Sequence, residues 1–187
     1  MFIHHHTCIA PVQTDENFNI ENIPVCNEGK ILAIEPSLMG VPPAMTRRMS
    51  KAVKMGLAAG LPILQNNQVD GIILGTANGG MQDCILFLNQ IVDYNEGLLT
   101  PANFVQSTPN AIAGQLSMLT QNNHYNATHV HNGLAFENAL IDAKLWLQEN
   151  KNSQYLVGGV DEISSYNYNI DRLAGWFSEK INNDHLF

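Results

Sequence analysis

The feature that most constrains this chain is the short apolar run from Val69 to Leu74, which breaks at Gly75-Thr76-Ala77-Asn78-Gly79-Gly80. A run of that length and composition reads as a strand covered on both faces. Such a strand needs a layer of helix on each side, and the flanking sequence offers them. Thr46 is placed to cap a helix running to about Ala59, with Met49, Val53 and Leu57 at four-residue spacing and Gly60 and Pro62 as its stop. Met81 to Val92 is apolar and helical. A helix from about Asn110 carries Ile112, Leu116 and Leu119. Leu134 to Gln148 carries Phe136, Leu140, Ile141, Leu145 and Trp146 on adjoining turns.

Further strands are expected at Phe2–Ile9, Ile31–Ile34, Tyr125–His131 and Gln154–Val157. Residues 13–30 are polar and irregular and read as a long loop. The tail, with Tyr166, Tyr168, Leu173, Trp176 and Phe177, reads as a final helix or a docking arm. Strands alternating with helices predict an α/β layered fold with a mainly parallel sheet, in one domain over residues 1–187.

Composition narrows the function classes. The net charge of −8 and nine scattered basic residues argue against nucleic acid as a partner. Charged residues are 14 %, low for a globular protein, which points to surface buried against a partner. Three cysteines (Cys8, Cys26, Cys84) without CxxC spacing predict no disulfide framework, and a reducing, cytoplasmic setting. There is no signal-like N-terminus and no apolar stretch long enough to span a membrane. In that setting the sequon Asn126-Ala127-Thr128 carries no meaning.

Several constellations could carry chemistry. The 75–80 turn fits neither a dinucleotide fingerprint nor a phosphate loop, so glycine there is read as close strand–helix packing. His4, His6 and Cys8 alternate along one expected strand, and His129 and His131 along another. They would make a zinc site only if the two strands met on that face. Cys84 reads as core. Asn110, after Ser107-Thr108-Pro109, reads as a helix cap. Asp161-Glu162 is read either as an acid/base pair or as an exposed strand-end turn. No cofactor is indicated.

Four segments together resemble one family, the β-ketoacyl synthases. Arg47-Arg48-Met49-Ser50-Lys51 looks like the opening of their first long helix. Gly75-Thr76 with Gly79-Gly80 is similar to their Gly-Thr-Gly-x-Gly-Gly turn. Asn103 to Gln115 is similar to their Met-Pro-Asn-x-x-Ala-Gly-Gln segment, and Gly158-Gly159-Val160-Asp161-Glu162 to their Gly-Gly-x-Glu strand end. The resemblance spans roughly residues 32–165, with 166–187 as a C-terminal extension. Thr128 to Glu137 looks closer still to the chain-length-factor-type branch of aryl-polyene and flexirubin-like pathways.

The resemblance implies a thiolase-like fold, here its N-terminal half. It also implies a nucleophilic cysteine at a sharp strand-to-helix turn, and two histidines in the second half that support decarboxylation. In this chain the turn reads His131-Asn132-Gly133, with either His131 or Gly133 in the cysteine's place and no thiol in either register. His185 sits in no family motif. The expectation is therefore a non-catalytic, ketosynthase-like subunit, paired with itself or with a ketosynthase, with an acyl carrier protein as a further partner. Phe104, Pro109, Asn110, Phe136 and Glu137 would lie by the substrate or dimer pocket. Two alternatives stand beside it. One is an acyltransferase component completed by a separate C-terminal half or a full ketosynthase, with His131 as a base. The other is a metal-binding protein using His4, His6, Cys8, His129 and His131.

Overall fold

A computed structural model describes residues 1–10, 33, 37–38, 40–47 and 49–176. The loop expected at 13–30, most of Ile31–Ile34, and Cys26, Arg48, Phe177 and His185 lie outside those residues. In chain order the elements are α1 (Pro43–Thr46), α2 (Lys51–Leu64), β1 (Gly71–Thr76), α3 (Met81–Asp93), α4 (Pro101–Gln106) and α5 (Ala111–Thr120). They continue with β2 (Tyr125–Val130), a 3-10 turn (Asn132–Leu134), α6 (Ala135–Glu149), β3 (Tyr155–Gly159) and α7 (Ser165–Leu173).

All six residues of β1 are buried, as its composition predicts. Among the described residues it is the centre of a three-stranded sheet of order β2-β1-β3, parallel throughout. Gly71 stands opposite Tyr125 on one side and Tyr155 on the other. Side chains alternate along the strand. Ile72 and Leu74 therefore join Val53, Leu57, Ala113 and Leu116 of α2 and α5 in one cluster. Ile73 points the other way, onto Ala139 and Ala143 of α6. At the outer edge of that second cluster Tyr125 packs on Trp146, ring centroids 4.8 Å apart.

Three sequence expectations are corrected by local physics. Phe2–Ile9 forms no strand. A strand exists by pairing, and this segment lies along α2 instead: the Thr7 hydroxyl donates to the Ala59 carbonyl at 2.8 Å, and Met1, Phe2 and Ile3 stay exposed. The long N-terminal helix starts at Ser50, not Thr46. Thr46 ends the one-turn α1 and its hydroxyl donates back to the Pro43 carbonyl, whereas Ser50 accepts the Val53 N–H in an extended conformation. The helix also runs through Gly60 and Pro62, because Leu61 and Leu64 are buried beyond them. Close approach of α2 and α5 depends on Gly56, where a Cβ would come 2.4 Å from Ile112.

Two further differences concern faces and caps. Asn110 occupies the N-cap position of α5, but its side chain makes no cap bond; its backbone (φ −86°, ψ 8°) is not the extended form that aims a capping side chain. α6 buries Ala135, Ala139 and Ala143, while Phe136, Ile141 and Leu145 remain about half exposed. The helix lies too close to β1 for larger side chains, so its apolar row faces outward. Cys84 is half-buried on α3, a helix with no fully buried residue. The tail does form a helix, α7, opened by a reciprocal Ser164–Asn167 capping box.

Candidate functional site

Three parallel strands end on the same side of the sheet, where α/β folds gather their functional loops. One carboxylate ties the ends of β1 and β3 together. Asp161, just past β3, accepts the Ala77 N–H at 2.6 Å and the Thr76 hydroxyl at 3.1 Å through Oδ1. The Thr76 oxygen in turn accepts the Gly79 N–H at 3.1 Å, and the Val160 N–H donates to the Gly75 carbonyl. The 75–80 bend is thus a fixed platform.

The chain leaving β2 docks on that platform. His131 N–H donates to the Thr76 carbonyl at 3.3 Å, and Asn132 N–H to the Ala77 carbonyl at 3.1 Å. Asn132 then turns with φ +37°, a left-handed backbone that costs a non-glycine residue energy unless its surroundings hold it there. A 3-10 turn and α6 follow at once, and neither begins with a side-chain cap. The first-turn N–H groups there carry the positive end of the helix. Gly75 makes the geometry possible, since a Cβ there would come 2.4 Å from the Ala135 carbonyl oxygen. His131, Asn132 and Gly133 are all exposed, and nothing lies within 4 Å of a Cβ built on Gly133.

The other sequence candidates divide. Phe136 and Glu137 follow on the first turn of α6, both exposed, with the Phe136 ring against Gly159. Phe104 lies on α4, more than half exposed, its ring 5.5 Å from that of Phe87 on α3. Pro109 packs on Gly79 and, with Gln106 and Thr108, lines a cavity beneath the 75–80 bend. Asn110 begins α5 outside that cavity.

Glu162 is half-buried in the same cavity, which distinguishes it from its exposed neighbour Asp161. It faces Asp83 from the first turn of α3, a residue the sequence did not single out. Burial pushes the Glu162 carboxyl up and the Asp83 charge adds to it; the Gln82 N–H, the Lys51 ammonium and the Ala52 N–H pull it partway back. Burial likewise pushes Asp83 up, against the Ser50 hydroxyl. Asp83 Oδ2, Glu162 Oε1 and Thr128 Oγ1 are buried at this cavity with no hydrogen-bond partner.

The five residues of the zinc alternative are not brought together. His4 and His6 sit beside Pro62, Ile63, Asn66 and Asn67 at the end of α2. His129 Nε2 lies 2.9 Å from Asp142 Oδ2, which also accepts the Tyr125 hydroxyl at 2.9 Å. Among the described residues no group of three or more His, Cys, Asp or Glu could hold a metal ion, and no helix is long and apolar enough to cross a membrane.

The family model described as "Beta-ketoacyl synthase, N-terminal domain" matches residues 26–172. The chain belongs to that family. As a β-ketoacyl synthase N-terminal domain it has the thiolase-like arrangement of helices flanking a parallel sheet. Solved structures with the same fold include "Ketosynthase (ApeO) in Complex with its Chain Length Factor (ApeC) from Xenorhabdus doucetiae", at 19 % identity and TM-score 0.65, covering 81 % of this chain and 62 % of that one. "The ishigamide ketosynthase/chain length factor" matches at 19 % identity and TM-score 0.62, covering 77 % and 44 %. A β-ketoacyl synthase from Burkholderia phymatum STM815 matches at 17 % identity and TM-score 0.63, covering 82 % and 40 %. The β-ketoacyl synthase domain therefore spans about two fifths to three fifths of the chains it resembles. No curated protein matches it.

Proposed function

We propose that this β-ketoacyl synthase domain acts as a non-catalytic, chain-length-factor-type subunit that pairs with a ketosynthase in acyl chain building. The observation that carries this reading is the turn after β2. Its apex is Asn132, held in a left-handed conformation at the start of α6. In this reading Asn132, between the two positions the sequence left open, stands where a synthase carries its thiol. A thiolate at a helix N-terminus is activated by the helix field; an amide there cannot form a thioester.

Surface supports the pairing. Among the described residues β2 is an edge strand, and Leu134, Ile141 and Leu145 at and along α6 are each more than half exposed. Exposed apolar rows of this kind are covered by partners. In this reading Phe104, Pro109 and Asn110 approach the partner's acyl pocket, and an acyl carrier protein visits the assembled pair rather than this chain alone. Two of the similar solved structures are described as ketosynthase and chain-length-factor assemblies.

The test is reconstitution. The chain is co-expressed with a complete ketosynthase from the same host, and condensation of malonyl-carrier protein is followed. Co-purification, with activity that survives His131→Ala, is expected. Activity lost on His131→Ala would instead make this chain an acyltransferase component with His131 as its base.

A further inference from the structure

We infer that Asp142 is a positioning residue for the turn at Asn132, latching the strand that enters the turn to the helix that leaves it. The inference goes beyond the proposed function, since it concerns what holds the turn and stands whether or not an acyl chain is ever built beside it. Asp142 lies near the middle of α6, and one of its oxygens carries the latch. Oδ2 accepts the Tyr125 hydroxyl at 2.9 Å and lies 2.9 Å from His129 Nε2. Tyr125 and Ala127 on β2 face the α6 cluster, and His129 continues that alternation toward the turn.

The donors can be assigned from the pairing itself. Oδ2 already accepts from Tyr125, and a carboxylate oxygen has no hydrogen to give, so the hydrogen toward it sits on His129 Nε2. Neutral His129 is thereby held in one tautomer, with Nδ1 bare. The His129 and Asp142 side chains are 33 % and 16 % exposed, so water competes only in part for these bonds. Hydrogen bonds to a charged acceptor are among the stronger ones.

The turn needs an anchor of this kind. Asn132 sits at φ +37°, and such a conformation persists only where the surroundings over-determine it. The backbone bonds of His131 and Asn132 to Thr76 and Ala77 fix the entry to the turn. No side-chain cap fixes its exit, because neither the 3-10 turn nor α6 has one. Ala135, Ala139 and Ala143 set how close α6 lies to the sheet, but apolar contact has no direction and does not fix where the helix sits along β2. Hydrogen bonds are directional and do. The Tyr125–Trp146 ring contact, one turn further along α6, belongs to the same seam. Without the two bonds to Asp142 the helix is free to shift along β2, and Asn132 relaxes out of its left-handed form.

The experiment is nuclear magnetic resonance on the full chain. In the wild type, ring-nitrogen shifts should place the hydrogen of neutral His129 on Nε2, and the backbone shifts of Asn132 should carry a left-handed signature. Asp142→Leu should erase that signature and speed exchange of the His131 and Asn132 amides about tenfold beyond the global change in stability. Asp142→Asn keeps an acceptor oxygen and should recover most of the protection. Tyr125→Phe combined with His129→Phe removes both donors and should match Asp142→Leu. Lys144→Gln, on the exposed side of α6, should change nothing. A wild-type His129 with its hydrogen on Nδ1 overturns the inference even if Asp142→Leu fails to fold. A folded Asp142→Leu that keeps the Asn132 signature and its protection overturns it as well.

Discussion

The Asp161 carboxylate accepts the Ala77 backbone N–H at 2.6 Å, across 84 residues of sequence. That bond joins the end of β3 to the bend after β1, and the bend carries the backbone bonds that seat His131 and Asn132. Asp161 is thus a positioning residue for a turn it does not touch.

Replacing Asp161 with Ala removes a charged acceptor from two donors. The expected cost is about 1–2 kcal/mol, read by urea unfolding. Amide exchange at Ala77 and Asn132 should quicken more than the global loss accounts for. A loss spread evenly over all protected amides would show that Asp161 does not hold the bend.

Gly75 and Gly133 separate close packing from openness. Gly75→Ala would force a Cβ to 2.4 Å from the Ala135 carbonyl oxygen. It is expected to cost about 3 kcal/mol or to prevent folding, since neither backbone can yield without moving α6 off the sheet. Gly133→Ala meets nothing within 4 Å and should change stability by less than about 0.5 kcal/mol. Thermal unfolding of the pair decides this, and comparable losses would contradict the packing described.

The contrast between these glycines shows what the sequence could disclose. β1 was legible because a strand buried on both faces leaves a local mark: an apolar run with glycine after it. Gly75 was legible for the same reason. The outward row of α6 was not. Periodicity locates an apolar face on a helix, but not whether the sheet beneath admits Leu or only Ala, and here it admits Ala139 and Ala143. Ser50 as the cap of α2 was hidden because Thr46 carries the same chemistry and differs only in what its hydroxyl already bonds. Asp83 left no mark at all, since its meaning depends on Glu162, far away in sequence.

Tyr125 offers a spectroscopic prediction. Burial holds its hydroxyl above the ordinary tyrosine range, and Asp142, which accepts its hydrogen bond, holds it higher. Asp142→Asn should lower the pH at which Tyr125 ionises, followed by ultraviolet difference absorbance against a Tyr125→Phe control. The folded state favours neutral Tyr125, so its contribution to stability is present below the ordinary tyrosine pKa and is lost as pH rises through the higher folded value. An unchanged or raised titration in Asp142→Asn would contradict the assignment.

In the proposed function, the turn at Asn132 is a nucleophile's seat that holds no nucleophile. Intact mass measurement after incubation with an acyl-carrier-protein thioester tests it directly. The wild-type chain should gain no acyl group, alone or with a ketosynthase. Asn132→Cys should gain one, while His131→Cys or Gly133→Cys should gain less. Acyl mass on the wild-type chain would contradict the account.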